Sequence, residues 1–410
     1  MKQFKVLTVI AIAGLLMMVS CAKDNAGNGS GTPSTESKVK IQVVYNHSNG
    51  STRADANKIA DQTDLDFTVG HIFFAESNGQ IHTHVGIGNT AGGVQVSKAD
   101  LTGGEAVIEG ISTNATKCYI VMTDAAAQIA SSTGITGNLK GQNINVVKAY
   151  AIEVGNINNT DGDVANVPLY GEGTVNTNDP GSTSGNKNYT ATVDVEINAL
   201  ASRLQIGKVS AKDYTYTDGA NTTQTVSIDA FTVEGIYINN FYEEMTVGAT
   251  VGTVIDGGAD VTAYTTTGST AYSTGGVGEK LTDQLAIAAS NTPLAVVPAT
   301  KQVWAYNLFP GASIPAVVIK LSEVKFTDTA NGTQTTVNNQ FLTVKSFKYA
   351  IGHANAGQDV VAFAANNIYT LSDIQFDYTD LTSVPYEETM TTLVTVDMMK
   401  WIDNTIEWKN

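Results

Sequence analysis

The stretch VKIQVVY, residues 39–45, has side chains that alternate between apolar and polar or small positions. In an extended strand, successive side chains point to opposite faces. The residues Val39, Ile41, Val43 and Tyr45 would therefore share one apolar face, with Lys and Gln among the positions between them. A period of two is typical of a β-strand with one buried face.

A polar loop, residues 46–52, follows this strand and ends at Arg53. The sequence has only one other arginine, Arg203, which lies in ASRLQI, residues 201–206, a stretch that reads as a core strand. Exposed loops are where proteases cut folded chains. Arg53 is therefore the arginine that we expect a protease to reach, although an arginine in such a loop can also have no role.

The composition favours strands and turns throughout the chain. Of 410 residues, only 15% are charged and 38 are glycine. Polar positions filled by Thr, Asn, Ser and Gly suit many short strands better than long surface helices. We expect a mostly β fold with two antiparallel β-sandwich-like domains and a few short helices.

Linker-like composition at residues 174–187 places the domain boundary near residue 180. The alternating stretch TVDVEI, residues 192–197, would then open the second unit. The expected organisation is a signal peptide (1–20), a propeptide with a removable first strand (21–53), an N-terminal β domain (54–180), a C-terminal β domain (181–387) and a donor-strand segment (388–410).

The first residues have the pattern of an export signal. Lys2 and Lys5 precede the apolar run 6–19, which is followed by Ser20 and Cys21. A positive start, a short apolar core and a small residue describe a secretory signal, and the run is too short to span a bilayer. The stretch MVSC, residues 18–21, resembles a bacterial lipobox, in which Cys21 would be lipidated; in an ordinary signal peptide that cysteine would be incidental.

Charge and motifs argue against nucleic-acid binding and catalysis. A net charge of −16 is unsuited to a phosphate backbone. The sequence has no phosphate-binding glycine loop and no nucleophile elbow. His82 and His84 would share one strand face, but with no third ligand nearby in sequence a metal site is not expected. We expect no enzyme activity, no metal and no cofactor.

The C-terminal stretch 391–410 is strand-compatible almost throughout. Lys400 and Asn404 interrupt its apolar face, so a bulge or two shorter strands are expected. This stretch either completes the sheet of its own domain or supplies a strand to another molecule. The candidate donor residues are Val394, Val396, Met398, Trp401, Ile402, Ile406 and Trp408.

Several segments together resemble the fimbrillins of Bacteroidales, which are type V pilins. They are KDN (23–25) after Cys21, VKIQVV (39–44), Arg53-Ala54, KCYIVM (117–122), ASRL (201–204), EGIYINN (234–240), NNIY (366–369) and VTV (394–396) with Trp401 and Trp408 beyond it. The resemblance covers nearly the whole chain, and the order of the segments is more specific than any one of them.

The resemblance implies a mechanism for both ends of the chain. An outer-membrane lipoprotein precursor would be cut between Arg53 and Ala54 by an Arg-specific protease, freeing the first strand. The C-terminal segment of the next copy would fill the groove as an added strand, giving a homopolymer with accessory and anchor pilins as further partners. The mature form would be an extracellular stalk subunit supporting adhesion.

Two other functions remain open from the sequence. One is a monomeric, lipid-anchored surface protein that binds a glycan or a host protein and folds its last strand into its own sheet. The other is a tip or accessory pilin, which shares the fold but ends a filament. A cleavable Arg53 and strand-like segments near both ends favour the stalk subunit.

Overall fold

The computed structural model describes residues 36–45, 64–65, 67–88, 94–97, 100–101, 106–123, 135, 137–158, 167–176, 191–256, 264, 281–298, 303–387, 390–398 and 400–401. All of them lie in one compact unit that begins at Glu36. The mostly β fold expected from the composition is confirmed. No helix in this part of the chain has the length and apolar character needed to cross a membrane.

The strands of the first half precede Leu200. They are β1 (Glu36–Tyr45), β2 (Asp64–Leu65), β3 (Val69–Ala75), β4 (Ile81–Ile87), β5 (Val94–Val96), β6 (Val107–Ser112), β7 (Lys117–Thr123), β8 (Ala151–Glu153), β9 (Leu169–Thr174) and β10 (Ala191–Ala199). Two short helices, α1 (Asn145–Lys148) and α2 (Val154–Ile157), flank β8.

The strands of the second half follow Ala201. They are β11 (Ser202–Ile206), β12 (Val209–Ala211), β13 (Tyr214–Thr217), β14 (Thr223–Asn239), β15 (Phe241–Tyr242), β16 (Glu244–Thr246), β17 (Val254–Ile255), β18 (Leu281–Ala288), β19 (Ala295–Val296), β20 (Trp304–Leu308), β21 (Ala316–Asp328), β22 (Thr333–Val337), β23 (Gln340–Tyr349), β24 (Asn367–Leu371), β25 (Ile374–Phe376), β26 (Met390–Met398) and β27 (Lys400–Trp401). A 3-10 turn, Tyr378–Asp380, lies between β25 and β26.

The first sheet has the strand order β5-β4-β3-β7-β9-β10-β1-β6. Its β3–β4 hairpin forms around Ser77-Asn78-Gly79, where an Asn-Gly pair favours a tight turn and Gly79 has the positive φ that such a turn requires. The buried strand β7 joins this hairpin to β9. The first strand of the described chain, β1, is therefore nearly at the far end of the sheet from the hairpin.

The second sheet is larger and contains the last long strand of the chain. Its main path is β13-β14-β21-β23-β26-β24-β11-β20, with β18 paired to β14 and β22 paired to β21. β26 lies inside this sheet, parallel to β23 and antiparallel to β24. The described part of the chain therefore uses Met390–Met398 to complete its own second sheet.

The structure differs from the sequence analysis in where it places β10. The alternating stretch 192–197 was expected to open the second unit, yet β10 pairs with β9 and β1 in the first sheet. The chain crosses to the second sheet between Ala199 and Ser202. The sheets are also mixed rather than purely antiparallel, because pairs such as β1–β10 and β23–β26 are parallel.

Backbone and amide contacts join the two sheets. β8 pairs with β16, and the backbone N–H of Val154 donates to the carbonyl of Glu243 at 2.8 Å. The buried side-chain amide of Asn158 forms two hydrogen bonds with the backbone of Asn307. The backbone N–H of Asn307 donates to Asn158 Oδ1, and Asn158 Nδ2 donates to the backbone carbonyl of Asn307. Buried amides are stable only when they are hydrogen bonded, so these contacts fix the junction in one geometry.

Candidate functional site

The candidate site is the position occupied by β1. Residues Val39–Tyr45 pair in parallel with Ala191–Ile197 of β10, and the other edge of β1 pairs antiparallel with β6. Ile41 also donates its N–H to the carbonyl of Ala106, just before β6, at 2.9 Å. β1 is thus hydrogen bonded on both edges. Both of its neighbours are distant in sequence, because β6 begins at Val107 and β10 at Ala191.

The two faces of β1 have the chemistry that its alternation predicts. Val39 and Ile41 have no exposed surface, whereas Lys40 is only partly buried. Val193 and Val195, at the register positions opposite Ile41 and Val43, are buried on the neighbouring strand. Fully burying an aliphatic side chain stabilises a fold by about 1.5–3 kcal/mol. Val39 and Ile41 are therefore part of the buried core.

The edge strand β6 depends on β1 for its place in the sheet. Among the described strands, β6 pairs with β1 alone. The register of this pair shifts between Ser37 and Val39. Two residues of β6, Glu109 and Gly110, lie at this bulge, and Gly110 has φ +71°. A bulge bends an edge strand and disrupts further pairing. Without β1, the inner edge of β6 and the facing edge of β10 would border a slot one strand wide.

The outer face beside the slot is acidic. Glu196 of β10 lies directly opposite Glu172 of β9, and Asp194 is two residues away on the same face. Burial alone would raise the pKa of Glu172, but hydrogen bonds from Lys148, at 2.6 Å, and from Tyr170 outweigh it and lower that pKa. Glu172 therefore stays ionised, in a shallow concavity of about 340 Å³ shared with Asp194 and Glu196.

The predicted donor residues divide into two groups. Val394 is fully buried within its own sheet in β26, and Val396 is partly buried there. Met398 ends β26, and Trp401 belongs to β27, which pairs in parallel with β2. This brings the C-terminal stretch beside Asp64–Leu65, the first described residues after the Arg53 loop. Ile402, Ile406 and Trp408 lie outside the described residues.

The predicted processing residues Cys21, Arg53 and Ala54 also lie outside the described residues. Arg203, the other arginine, is 3% exposed in β11, between β20 and β24. Its placement in a core strand agrees with the sequence analysis. A protease that must draw an extended segment into its active site would have to unfold the second sheet to reach Arg203.

The two histidines considered as metal ligands have different partners. His82 Nε2 lies 2.7 Å from Glu76 Oε1, whereas His84 Nε2 lies 2.9 Å from His71 Nδ1. A register shift between Phe74 and Ala75 of the paired strand β3 places His82 at a bulge, so the expected shared face is not formed. The described residues contain no group of three or more His, Cys, Asp or Glu side chains that could hold a metal.

Sequence reasoning did not predict that β10 and β6 are the two neighbours of β1. The alternation of Val193, Val195 and Ile197 carried the signal for β10, because it has the same period and length as the apolar face of β1. Pairing partners are not deducible from period alone. The strand β6 was predicted, but its place next to β1 was not.

Comparisons with known proteins were made by sequence and by structure. No protein-family model matches the chain, and no curated protein matches its sequence. Solved structures do align over most of its length. One is a fimbrilin from Porphyromonas gingivalis W83, with 14% identity over 90% of this chain and 98% of that chain, at a TM-score of 0.45. The chain is similar to fimbrilins.

Two further structures are of proteins to which a role in cell adhesion is ascribed. The one from Bacteroides eggerthii has 17% identity over 91% of this chain and 98% of its own, with a TM-score of 0.44. The one from Parabacteroides distasonis has 10% identity over 90% of this chain and 100% of its own, with a TM-score of 0.48. Every one of these TM-scores is below 0.5. The proposed function is therefore argued from the strand pairing of this chain and not from these structures.

The pairing of β1 predicts that its two faces differ in their contribution to stability. Replacing Ile41 with alanine should lower the free energy of unfolding by about 2–4 kcal/mol, because it leaves a cavity under the sheet. Replacing the adjacent Lys40 with alanine is the matched control and should cost less than about 1 kcal/mol. Urea unfolding of the two variants measures both values, and equal losses would contradict the placement of Ile41 in the core.

Proposed function

We propose that this chain is the precursor of a fimbrillin-like structural subunit that assembles on the cell surface and supports adhesion. One observation carries the proposal: β1 lies inside the first sheet, yet a single cut in the loop that follows it would separate it from the rest of the domain. The role is structural rather than catalytic. Such a strand is a removable part, because only non-covalent contacts would then hold it.

The loss of β1 would create a specific receptor. Along seven consecutive residues of β10, the backbone groups that point towards β1 would lose their partners, and buried backbone groups without partners are costly. The apolar wall that now contacts Val39 and Ile41 would face water. An extended segment with apolar side chains at alternate positions restores both the hydrogen bonds and the burial, which is the physics of strand addition.

We propose that the filling strand comes from the C-terminal stretch of a second copy. Ile402, Ile406 and Trp408 recur at even spacing, as the apolar residues of β1 do, with Asn404 as the polar interruption. Donor and slot are different surfaces, so the contact is head-to-tail and propagates as an open filament. Trp401, one position out of phase, would require a bulge at the start of the donor strand.

The place of β26 divides the C-terminal stretch into an anchor and a donor. If Val394 and Val396 left with the donor, a second gap would open between β23 and β24, and the burial gained in one subunit would be lost in the other. We therefore propose that Val394, Val396 and Met398 hold the base of the donor in its own sheet. Residues beyond Met398 would reach the neighbouring copy, and the pairing of Lys400–Trp401 with β2 would open when they do.

Export and processing complete the proposal. Cys21 would be lipidated and would carry the precursor to the outer membrane, where β1 keeps the acceptor slot closed. An Arg-specific protease would then cut between Arg53 and Ala54, so that polymerisation starts only at the surface. Accessory and anchor pilins would be the further partners at the two ends of the filament.

The burial of Arg203 predicts a single cut by an Arg-specific protease. The native precursor should yield one new N-terminus, at Ala54, and the Arg53→Ala variant should resist cleavage, because Arg203 stays inside the second sheet. Intact mass measured after a graded digestion reports both results. Cleavage at Arg203 before Arg53, or normal fibres from the Arg53→Ala variant, would contradict the proposed processing step.

Removal of residues 402–410 should leave subunits that accept a strand but cannot donate one. The truncated protein, cleaved at Arg53, should remain monomeric, because β26 and its anchoring residues stay in place. Added to cleaved full-length protein, it should cap filaments and shorten them, which electron microscopy and sedimentation measure. Filaments of ordinary length from the truncated protein alone would overturn the assignment of the donor.

A second candidate function is favoured by one observation, the position of β26 inside its own sheet with Val394 fully buried. A monomeric, lipid-anchored surface protein that binds a glycan or a host protein would keep both β1 and β26 in place. A tip or accessory pilin would instead accept a strand without passing one on.

The N-terminus of the surface form separates these candidates. Intact mass of the native surface protein should give a start at Ala54 if the chain is a processed subunit. A lipidated Cys21 on the functional form would mean that β1 stays in its slot, and the monomeric surface protein would replace the fimbrial subunit as the function.

A further inference from the structure

A buried pair of histidines lies at the β3–β4 hairpin, at the opposite end of the first sheet from β1. His71 has no exposed surface and His84 is 2% exposed, and His71 Nδ1 lies 2.9 Å from His84 Nε2. The ring of Phe73 stacks on His84, with centroids 4.5 Å apart. The pair is therefore enclosed within the core rather than placed at the surface.

The backbone fixes which nitrogens carry the protons. The N–H of Leu139 donates to His84 Nδ1 at 3.1 Å, so that nitrogen has no hydrogen. A neutral His84 must then be protonated on Nε2, which donates to His71 Nδ1. Neutral His71 in turn carries its proton on Nε2. The hydrogen bond from Leu139 to His84 and the one from His84 to His71 therefore form together only when both imidazoles are neutral.

Leu139 belongs to a segment between β7 and β9, the strap, which we define as residues 138–153. Its first part is bound to the hairpin: Ile81 donates to the Gln142 carbonyl, Gly141 donates to the Ile81 carbonyl, and both distances are 2.8 Å. Its last part is β8, which forms a separate two-stranded sheet with β16. The strap is thus held at one end by the hairpin and its histidines, and at the other end by β16.

We propose that the His71–His84 pair is an acid-sensitive clamp on the strap. A proton added to His84 Nδ1 turns the contact with Leu139 into two donors facing each other. A proton added to His71 Nδ1 does the same to the contact between the rings. Either event also places a charge in the core, so that opening of the strap becomes the way to hydrate the charged ring.

The elements next to the pair carry several ionisable side chains. They are Glu76 and His82 on the hairpin, Glu109 on β6, Lys117, Cys118 and Tyr119 on β7, Lys140 and Lys148 on the strap, and Glu172 on β9. Of these, Glu76 is paired with His82 and Glu172 with Lys148. Burial is the main influence on the pKa of His84 and lowers it to about 4, while the side chain of Asn138 acts in the opposite direction.

The direction of the pH effect follows from these values. Burial lowers the pKa of His84 to about 4 in the closed protein, and a hydrated ring in the open form would have the ordinary value of about 6.5. The clamp is fully effective above pH 6.5 and weakens as the pH falls from 6.5 towards 4, because the open form then binds more protons. The opening equilibrium of the strap should rise roughly 30-fold between pH 7.5 and pH 5.

Hydrogen exchange on the full chain tests the clamp. Protection of amides 138–149, corrected for the intrinsic exchange rate at each pH, should fall roughly 30-fold between pH 7.5 and pH 5. Protection of the amides of β21 and β23 should not change. The double variant His71→Gln/His84→Gln should lose the pH dependence, and His82→Gln, on the same strand but paired with Glu76, should keep it. Strap protection that is independent of pH in the unaltered chain would overturn the proposal.

A second measurement applies if the double variant does not fold. Nitrogen-15 spectra of the histidine rings should give the Nε2–H form for both His71 and His84 at pH 7, with His84 not titrating above pH 5. An Nδ1–H form for His84, or a titration near pH 6.5, would refute the clamp without any substitution.

Discussion

The two-sided pairing of β1 is the constraint on which the first domain depends. A strand at the edge of a sheet can leave at the cost of one set of hydrogen bonds, but β1 has neighbours on both edges. Its departure would leave one edge of β6 and one edge of β10 without a paired strand at the same time. Because Val39 and Ile41 are also fully buried, the first strand joins backbone pairing and core packing in one element.

The sequence predicts this element well because its signal is local. The alternation over residues 39–45 is recognised from those residues alone, and the Asn78-Gly79 turn is recognised from the few residues of its hairpin. The partner of β1 was not predictable in the same way, since β1 and β10 are parallel strands separated by about 150 residues of sequence. The composition near residue 180 suggested a boundary, yet β10 follows that stretch and still belongs to the first sheet. Composition reports flexibility of a connection, not which sheet the next strand enters.

The histidines illustrate another limit of sequence periodicity. His82 and His84 are two positions apart and would share a face in a regular strand. The bulge in the hairpin breaks that regularity, and the two side chains reach Glu76 and His71 instead. A period-two rule assumes that every residue of one strand faces one residue of the next, so a single extra residue reverses its conclusion.

The junction between the sheets explains why the anchor and the slot can act together. The strap, the β8–β16 pair and the Asn158–Asn307 amides all join the same two halves of the chain. In the head-to-tail filament that we propose, force would enter a subunit at the β1 slot and leave it at β26. These two strands lie in different sheets, so the load must cross this junction. Hydrogen-bonded amides and paired backbone have fixed geometry and resist sliding better than apolar contacts alone. The polar character of the junction is therefore suited to transmitting tension between the sheets.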